Sequence, residues 1–216
     1  MILSPGRRFA FVHVPKTGGT SFALAYEARA LRDDLLVGDT PKARRRRARL
    51  ERLRPRGRLW KHSRLADVDG VVTRAQMAEW QVLVLVRNPW DRIVSYYHWL
   101  RDQRFDHPAV RLAQRLEFRG FLRHPSTVAS LAAQPYASYA TDAGGTCHAD
   151  VFARLEALDA DLAPVRAHLG FRLEVPHVNA SMRPRDYRPF YGTDEVDLVA
   201  RICAADIARS GYVFEG

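Results

Sequence analysis

The stretch Phe9 to Arg32 reads FAFVHVPKTGGTSFALAYEARALR, and its order decides the fold. Phe9 to Val14 is a short, unbroken apolar run, the pattern of a strand buried on both faces. Pro15 and two glycines end it, and from Ser21 onward the residues favour a helix that Thr20 or Ser21 is placed to cap. Strand, Gly-rich turn and helix in this order make a site for a phosphate. The glycines let backbone come close to an anion. A helix N-terminus offers N–H groups and the positive end of its dipole. Lys16 adds a mobile cation, and Thr17, Thr20 and Ser21 add hydroxyl donors beside Gly18 and Gly19. The order is not that of a Walker loop, which sets Lys directly after its last Gly and then Ser or Thr. Nor does an Asp follow a strand in a magnesium-binding position. The plain alternative is a tight turn without a ligand.

Outward from this stretch, Gln81 to Val86 (QVLVLV) is a second buried strand. Asn88-Pro89 then reads as cap and first turn of a helix. Its apolar stripe is Trp90, Ile93, Val94, Tyr97 and Leu100, so Asp91, Arg92 and Ser95 project elsewhere. Arg87 stands at the strand end with a fork suited to phosphate, and Ser95 adds a hydroxyl on the polar side. An ordinary ion pair at Arg87 is the competing reading. Two anion sites after two strands imply a nucleotide with phosphates at two separate places.

The remaining pattern places a basic helix at 42–54 ending before Pro55, a minor strand at Val71-Val72, and a helix RAQMAEW capped by Thr73. Residues 108–134 read as helical with a break near His124-Pro125, and Ala149 to Leu155 as a third strand. Ala157 to Leu169 and Asp194 to Arg209 read as helices. This alternation predicts an α/β fold of three layers, a mainly parallel sheet flanked by helices. The 216 residues, 47% hydrophobic and 27% charged, fit a single globular domain over 1–216, with a basic helical insert at about 41–64. No apolar run approaches the roughly 18 residues of a membrane span. The start MILSPGRRFAFVHV lacks the layout of a signal peptide, so a cytoplasmic location is expected. Cys147 and Cys203 form neither a disulfide framework nor a zinc pattern, and no metal is expected.

The net charge of +10 is local. Lys42 to Arg64 holds twelve Lys or Arg against the single acid Glu51, which nets +11. Such a run is either a solvated or mobile face or a surface that attracts an anionic partner. An acidic acceptor, nucleic acid and a membrane surface all fit the second description.

FVHVPKTGGTS followed by VLVLVRNPWDRIVSYY resembles the sulfotransferase family, most closely its branch of carbohydrate sulfotransferases and their bacterial relatives. Weaker echoes are KHSR from Lys61, FARLE from Phe152, HVNAS from His177 and the terminal SGYVF, so the resemblance spans nearly the whole chain. It implies a P-loop-NTPase-like fold and use of 3′-phosphoadenosine 5′-phosphosulfate as co-substrate, without a metal. On that reading Lys16, Thr17, Gly18, Gly19, Thr20 and Ser21 grip the 5′-phosphosulfate, and Arg87 with Ser95 grips the 3′-phosphate. A sulfuryl group passes to a hydroxyl, less readily an amine, of an acceptor such as an anionic glycan or a small molecule. Lys16 is then the catalytic cation. His62 is the candidate base, because Lys61-His62-Ser63 falls where related enzymes place such an element, and His titrates near neutrality. Of the other histidines, His13 reads as a core residue and His98 lies on the second helix. The resemblance also makes His177, Asn179, Ser181 and Arg183 a lid or outer wall over the nucleotide, against the plainer reading of a connecting loop. Two other functions stay open. One is a nucleotide or small-molecule kinase. The other is a nucleic-acid-binding protein using the Arg-rich segment, although Trp60 is its only interleaved aromatic.

Overall fold

Apolar runs alone explain the centre of the sheet. In the computed structural model, which describes residues 1–176 and 183–214, β1 (Ile2–Ser4), β2 (Phe9–Val12), β3 (Leu35–Leu36), β4 (Gln81–Val86) and β5 (Val151–Arg154) form one sheet in the order β3-β1-β2-β4-β5. Strands β2, β4 and β5 run parallel, with β5 at one edge of the sheet, Val12 opposite Val84 and Val86 opposite Arg154. The short β1 and β3 add an antiparallel edge. Both faces are buried. Phe9, Phe11, Leu83, Leu85 and Ala153 point to one, and the alternate residues Ala10, Val12, Val82, Val84 and Val86 are equally inaccessible.

Helices alternate with these strands. They are α1 (Gly19–Glu27), α2 (Pro41–Arg45), α3 (Arg47–Leu50), α4 (Arg74–Ala78), α5 (Pro89–Arg101), α6 (Pro108–Arg115), α7 (Phe118–Arg123) and α8 (Pro125–Ala132). Then follow α9 (Tyr136–Tyr139), α10 (Leu158–Asp161), α11 (Ala163–Leu169), α12 (Thr193–Ile202) and α13 (Ala204–Ser210). The chain divides into two compact units, one of residues 1–86 and 136–179, the other of 87–135 and 180–216. The whole sheet belongs to the first. Its core joins Phe9 and Phe11 of β2 to Phe22 and Tyr26 of α1, with Leu162, Val165 and Leu169 alongside. The Phe11 and Phe22 rings are 4.4 Å apart and the Phe9 and Tyr26 rings 5.7 Å. Each buried ring contributes roughly 1.5–3 kcal/mol. Together they clamp both ends of the loop between β2 and α1.

Several expectations change. Val71-Val72 forms no strand: both amides turn back onto the Val68 carbonyl, at 2.9 and 3.2 Å, after a 3-10 turn. The basic helix at 42–54 is two short helices separated at Arg46, and the chain leaves helix after Leu50. The helical stretch 108–134 breaks twice, before Phe118 as well as at His124. Asp194 to Arg209 is interrupted at Cys203. Neither Thr20 nor Ser21 caps α1. Gly18 does so in a left-handed conformation, φ +80°, without a side-chain bond. Thr73 and Asn88 cap α4 and α5 as expected.

Candidate functional site

The loop after β2 is built by its backbone. Lys16 has φ +68°, a left-handed value that costs a non-glycine residue roughly 1–2 kcal/mol. Gly18 two residues later is also left-handed. Thr17 between them is fully buried, and its hydroxyl donates to the Val14 carbonyl at 2.9 Å. That bond closes the turn and commits the Thr17 hydroxyl hydrogen to the backbone. The amides of Ser21 and Phe22 bond back to the Gly18 carbonyl at 3.0 and 3.4 Å. Gly19 and Thr20 precede them in the first turn, where amides lack intrahelical acceptors. Lys16 and Thr20 are half-buried, and Ser21 is buried.

Both glycines are required by their neighbours. A Cβ at Gly18 would lie 2.7 Å from Leu155 Cδ1, just past β5. One at Gly19 would lie 2.1 Å from His13 Cδ2. His13 is therefore more than a core histidine, since its ring fills the space that a side chain at Gly19 would take. Burial first, then nearby His62 and Lys61, holds its pKa well below the usual value, so the ring is neutral.

His62 is joined to the same residue. Its Nδ1 is 2.8 Å from the His13 carbonyl oxygen. A carbonyl only accepts, so Nδ1 carries the hydrogen and Nε2 is the basic nitrogen of the neutral ring. The His13 ring meets it edge-on at 4.5 Å and the Trp60 ring at 5.0 Å. Ser63, with no exposed surface, fixes the turn that carries it. Its Oγ accepts from the Trp60 amide at 2.8 Å and faces the carbonyls of Arg58 and Trp60, each at 2.9 Å. A cavity of about 320 Å³ lies beside two neighbours of His62, namely His13 and Lys61. Thr20, His13 and Lys61 line it with the apolar Leu24, Leu36 and Val37. Lys61 pairs with Asp39 at 2.9 Å, a bond that lowers the Asp39 pKa.

The basic segment leading to Lys61 is folded against the first unit. Arg46 donates to the carbonyls of Leu31 and Asp34, and the amides of Arg56 and Gly57 bond those of Asp69 and Asp67 at 2.8 and 3.0 Å. Eight arginines between Arg44 and Arg58 nevertheless remain exposed, as does Trp60.

The second unit holds Arg87, Ser95 and Arg183. Asn88 Oδ1 accepts from the Trp90 amide at 3.1 Å, and its Nδ2 donates to the Val213 carbonyl at 3.0 Å. This sets the start of α5. Arg87 binds Asp91 one turn along, through Nε at 2.8 Å and Nη2 at 2.6 Å. Arg183 binds the other oxygen of the same carboxylate. Ser95 is 3% exposed, so the polar side of α5 is an interior side there. Sequence reasoning missed Asp91 as a partner, though the i,i+4 spacing from Arg87 was its signal. It also missed the double contact of His13, which no periodicity reveals. His177, Asn179 and Ser181 lie outside the described residues. Among those described, no cluster of His, Cys, Asp and Glu fits a metal, and no helix is long and apolar enough to cross a membrane.

The structure is similar to that of mouse sulfotransferase SULT7A1 complexed with PAP, with 15% identity and a TM-score of 0.46, covering 94% of this chain and 84% of that one. No family model matches the chain. No curated protein matches it.

Proposed function

We propose that the protein transfers a sulfuryl group from 3′-phosphoadenosine 5′-phosphosulfate to an acceptor hydroxyl, such as that of a carbohydrate. The observation that carries this reading is the loop after β2. There a left-handed Lys16, a closed Thr17 turn and the first amides of α1 meet His62 across His13. The resemblance of the loop and of the segment from Arg87 to Ser95 supports the choice of nucleotide.

In this scheme the loop amides and the Lys16 ammonium hold the 5′-phosphosulfate. Arg87 and Ser95 hold the 3′-phosphate, with Arg183 beside Arg87. The acceptor's reacting end enters from the cavity lined by Thr20, His13 and Lys61. Sulfuryl transfer relies on positioning and charge stabilisation, as phosphoryl transfer does. The acceptor oxygen forms its bond to sulfur as the bond from sulfur to the 5′-phosphate oxygen breaks. The acceptor proton passes to His62 Nε2, and the new imidazolium is oriented by the His13 carbonyl. Charge growing on the leaving phosphate meets Lys16 and the amides, a stabilisation that reaches about 10²–10³ in rate for a single donor.

The test is a screen of hydroxyl and amine acceptors with sulfur-labelled donor, run beside nucleotide binding without magnesium. Label transfer, with ATP bound much more weakly than the phosphosulfate, is the expected result. ATP binding that is tighter and magnesium-dependent would make the protein a kinase. Within this scheme His62→Ala loses turnover and keeps nucleotide affinity; near-normal turnover would remove His62 as the base.

A further inference from the structure

Asp91 occupies an unusual position for an i,i+4 partner of an arginine. Such pairs normally lie on a solvated helix face and join two charges. Here the Asp91 side chain is 17% exposed and joins three. Its Oδ2 takes Nε and Nη2 of Arg87, and its Oδ1 takes Nη2 of Arg183. The Arg183 side chain is 5% exposed, and its Nη1 is fixed on the Pro184 carbonyl at 2.9 Å. One carboxylate thus holds together two guanidiniums from distant parts of the chain. Below it on α5 come Ser95 and then His98, at the spacings that share a helix face. His98 Nε2 is buried and has no hydrogen-bond partner among the described residues.

Two arginines brought side by side without a counter-ion repel each other and swing apart. With the carboxylate behind them their planes are set in advance, and an incoming anion meets no reorganisation there. We propose that Asp91 is the positioning residue of the 3′-phosphate subsite, holding Arg87 and Arg183 as a preformed clamp that selects nucleotides carrying a 3′-phosphate. The inference rests on the proposed function. It adds the residue that gives the nucleotide site its selectivity.

The experiment is calorimetric titration of 3′-phosphoadenosine 5′-phosphate and of adenosine 5′-phosphate into the wild type, Asp91→Asn and Asp91→Glu. The wild type should prefer the 3′-phosphorylated nucleotide. Asp91→Asn should lose about tenfold or more of that affinity while holding adenosine 5′-phosphate within about twofold. Asp91→Glu, which keeps the charge, should recover part of the loss. Asparagine binding the 3′-phosphorylated nucleotide as well as, or better than, the wild type would make Asp91 a competitor and overturn the clamp. Equal loss of both nucleotides in Asp91→Asn, or no recovery in Asp91→Glu, would reduce Asp91 to a folding role. A wild type that binds both nucleotides equally removes the subsite itself, and one that binds neither removes the proposed function with it.

Discussion

Gly19 shows how closely one residue is tied to the site. Its missing Cβ leaves the space in which the His13 ring lies. The Cβ of Gly19→Ala would sit 2.1 Å from His13 Cδ2, and a buried ring just past β2 has little room to give. An overpacked site of this kind costs typically 1–3 kcal/mol, about what a urea midpoint resolves. Truncating the obstacle, as His13→Ala, should make Gly19→Ala markedly less costly, and simple additivity of the two would break the proposed contact. His13 also has a pH signature. Its folded pKa is depressed by burial, so the unfolded chain takes up a proton first as pH falls. Stability from this group is complete above about 6.5, the unfolded value, and declines as pH drops from there toward the lower folded value. His98 is lowered by burial too and acts with the same sign. His13→Asn should therefore flatten the acid side of the stability profile in part. It should keep activity, because the carbonyl that orients His62 belongs to the backbone. A profile as steep as that of the wild type would show that the fold does not lower the His13 pKa.

At the scale of elements, the turn from Arg58 to Ser63 is what presents His62. Ser63→Ala removes a buried hydroxyl that serves the Trp60 amide and the carbonyls of Arg58 and Trp60. Leaving such groups unsatisfied costs about 1–3 kcal/mol. The same substitution should lower kcat more than it raises the donor KM, measured with saturating acceptor, because His62, the proposed base, moves while the loop stays. An unchanged kcat with reduced stability would show that the turn is structural only. The sequence exposes some of these elements and hides others for physical reasons. β2 and β4 are continuous apolar runs bounded by turn residues, so their period and ends are readable. Asn88-Pro89 carries a capping residue and a fixed φ, and α5 begins where those two require. The antiparallel strands β1 and β3 span three and two residues, too short for any period. Val71-Val72 has the composition of a strand, yet the carbonyl of Val68 captures both amides. In the candidate site, residue types that bind anions can be read along the chain. The arrival of Arg183 on Asp91, and of His62 on the His13 carbonyl, arises from contacts between segments far apart in sequence. Local pattern carries no record of those.

For the molecule as a whole, charge placement is the feature with the widest reach. The +11 of residues 42–64 exceeds the total of +10, so the remainder is slightly acidic and the attractive field has a single origin. That origin is a folded surface, since Arg46, Arg56, Gly57 and Ser63 are all bonded in place. Its exposed arginines lead along the chain to Trp60 and His62, and under the proposed function they would draw in an anionic acceptor. Exposed charges act through water and are screened beyond roughly 10 Å at 0.1 M salt. Replacing Arg44, Arg45 and Arg47 together with Gln should then raise the KM of an anionic acceptor at low salt, leave kcat and the donor KM unchanged, and leave an uncharged acceptor unaffected. The difference from the wild type should shrink as salt approaches about 1 M, where the screening length is near 3 Å. Steady-state kinetics over a salt series, with one charged and one neutral acceptor, separates the cases. A KM that rises equally for both acceptors would mean that the substitutions disturb the fold of the segment. One that rises for neither would mean that the arginines serve a partner other than the acceptor.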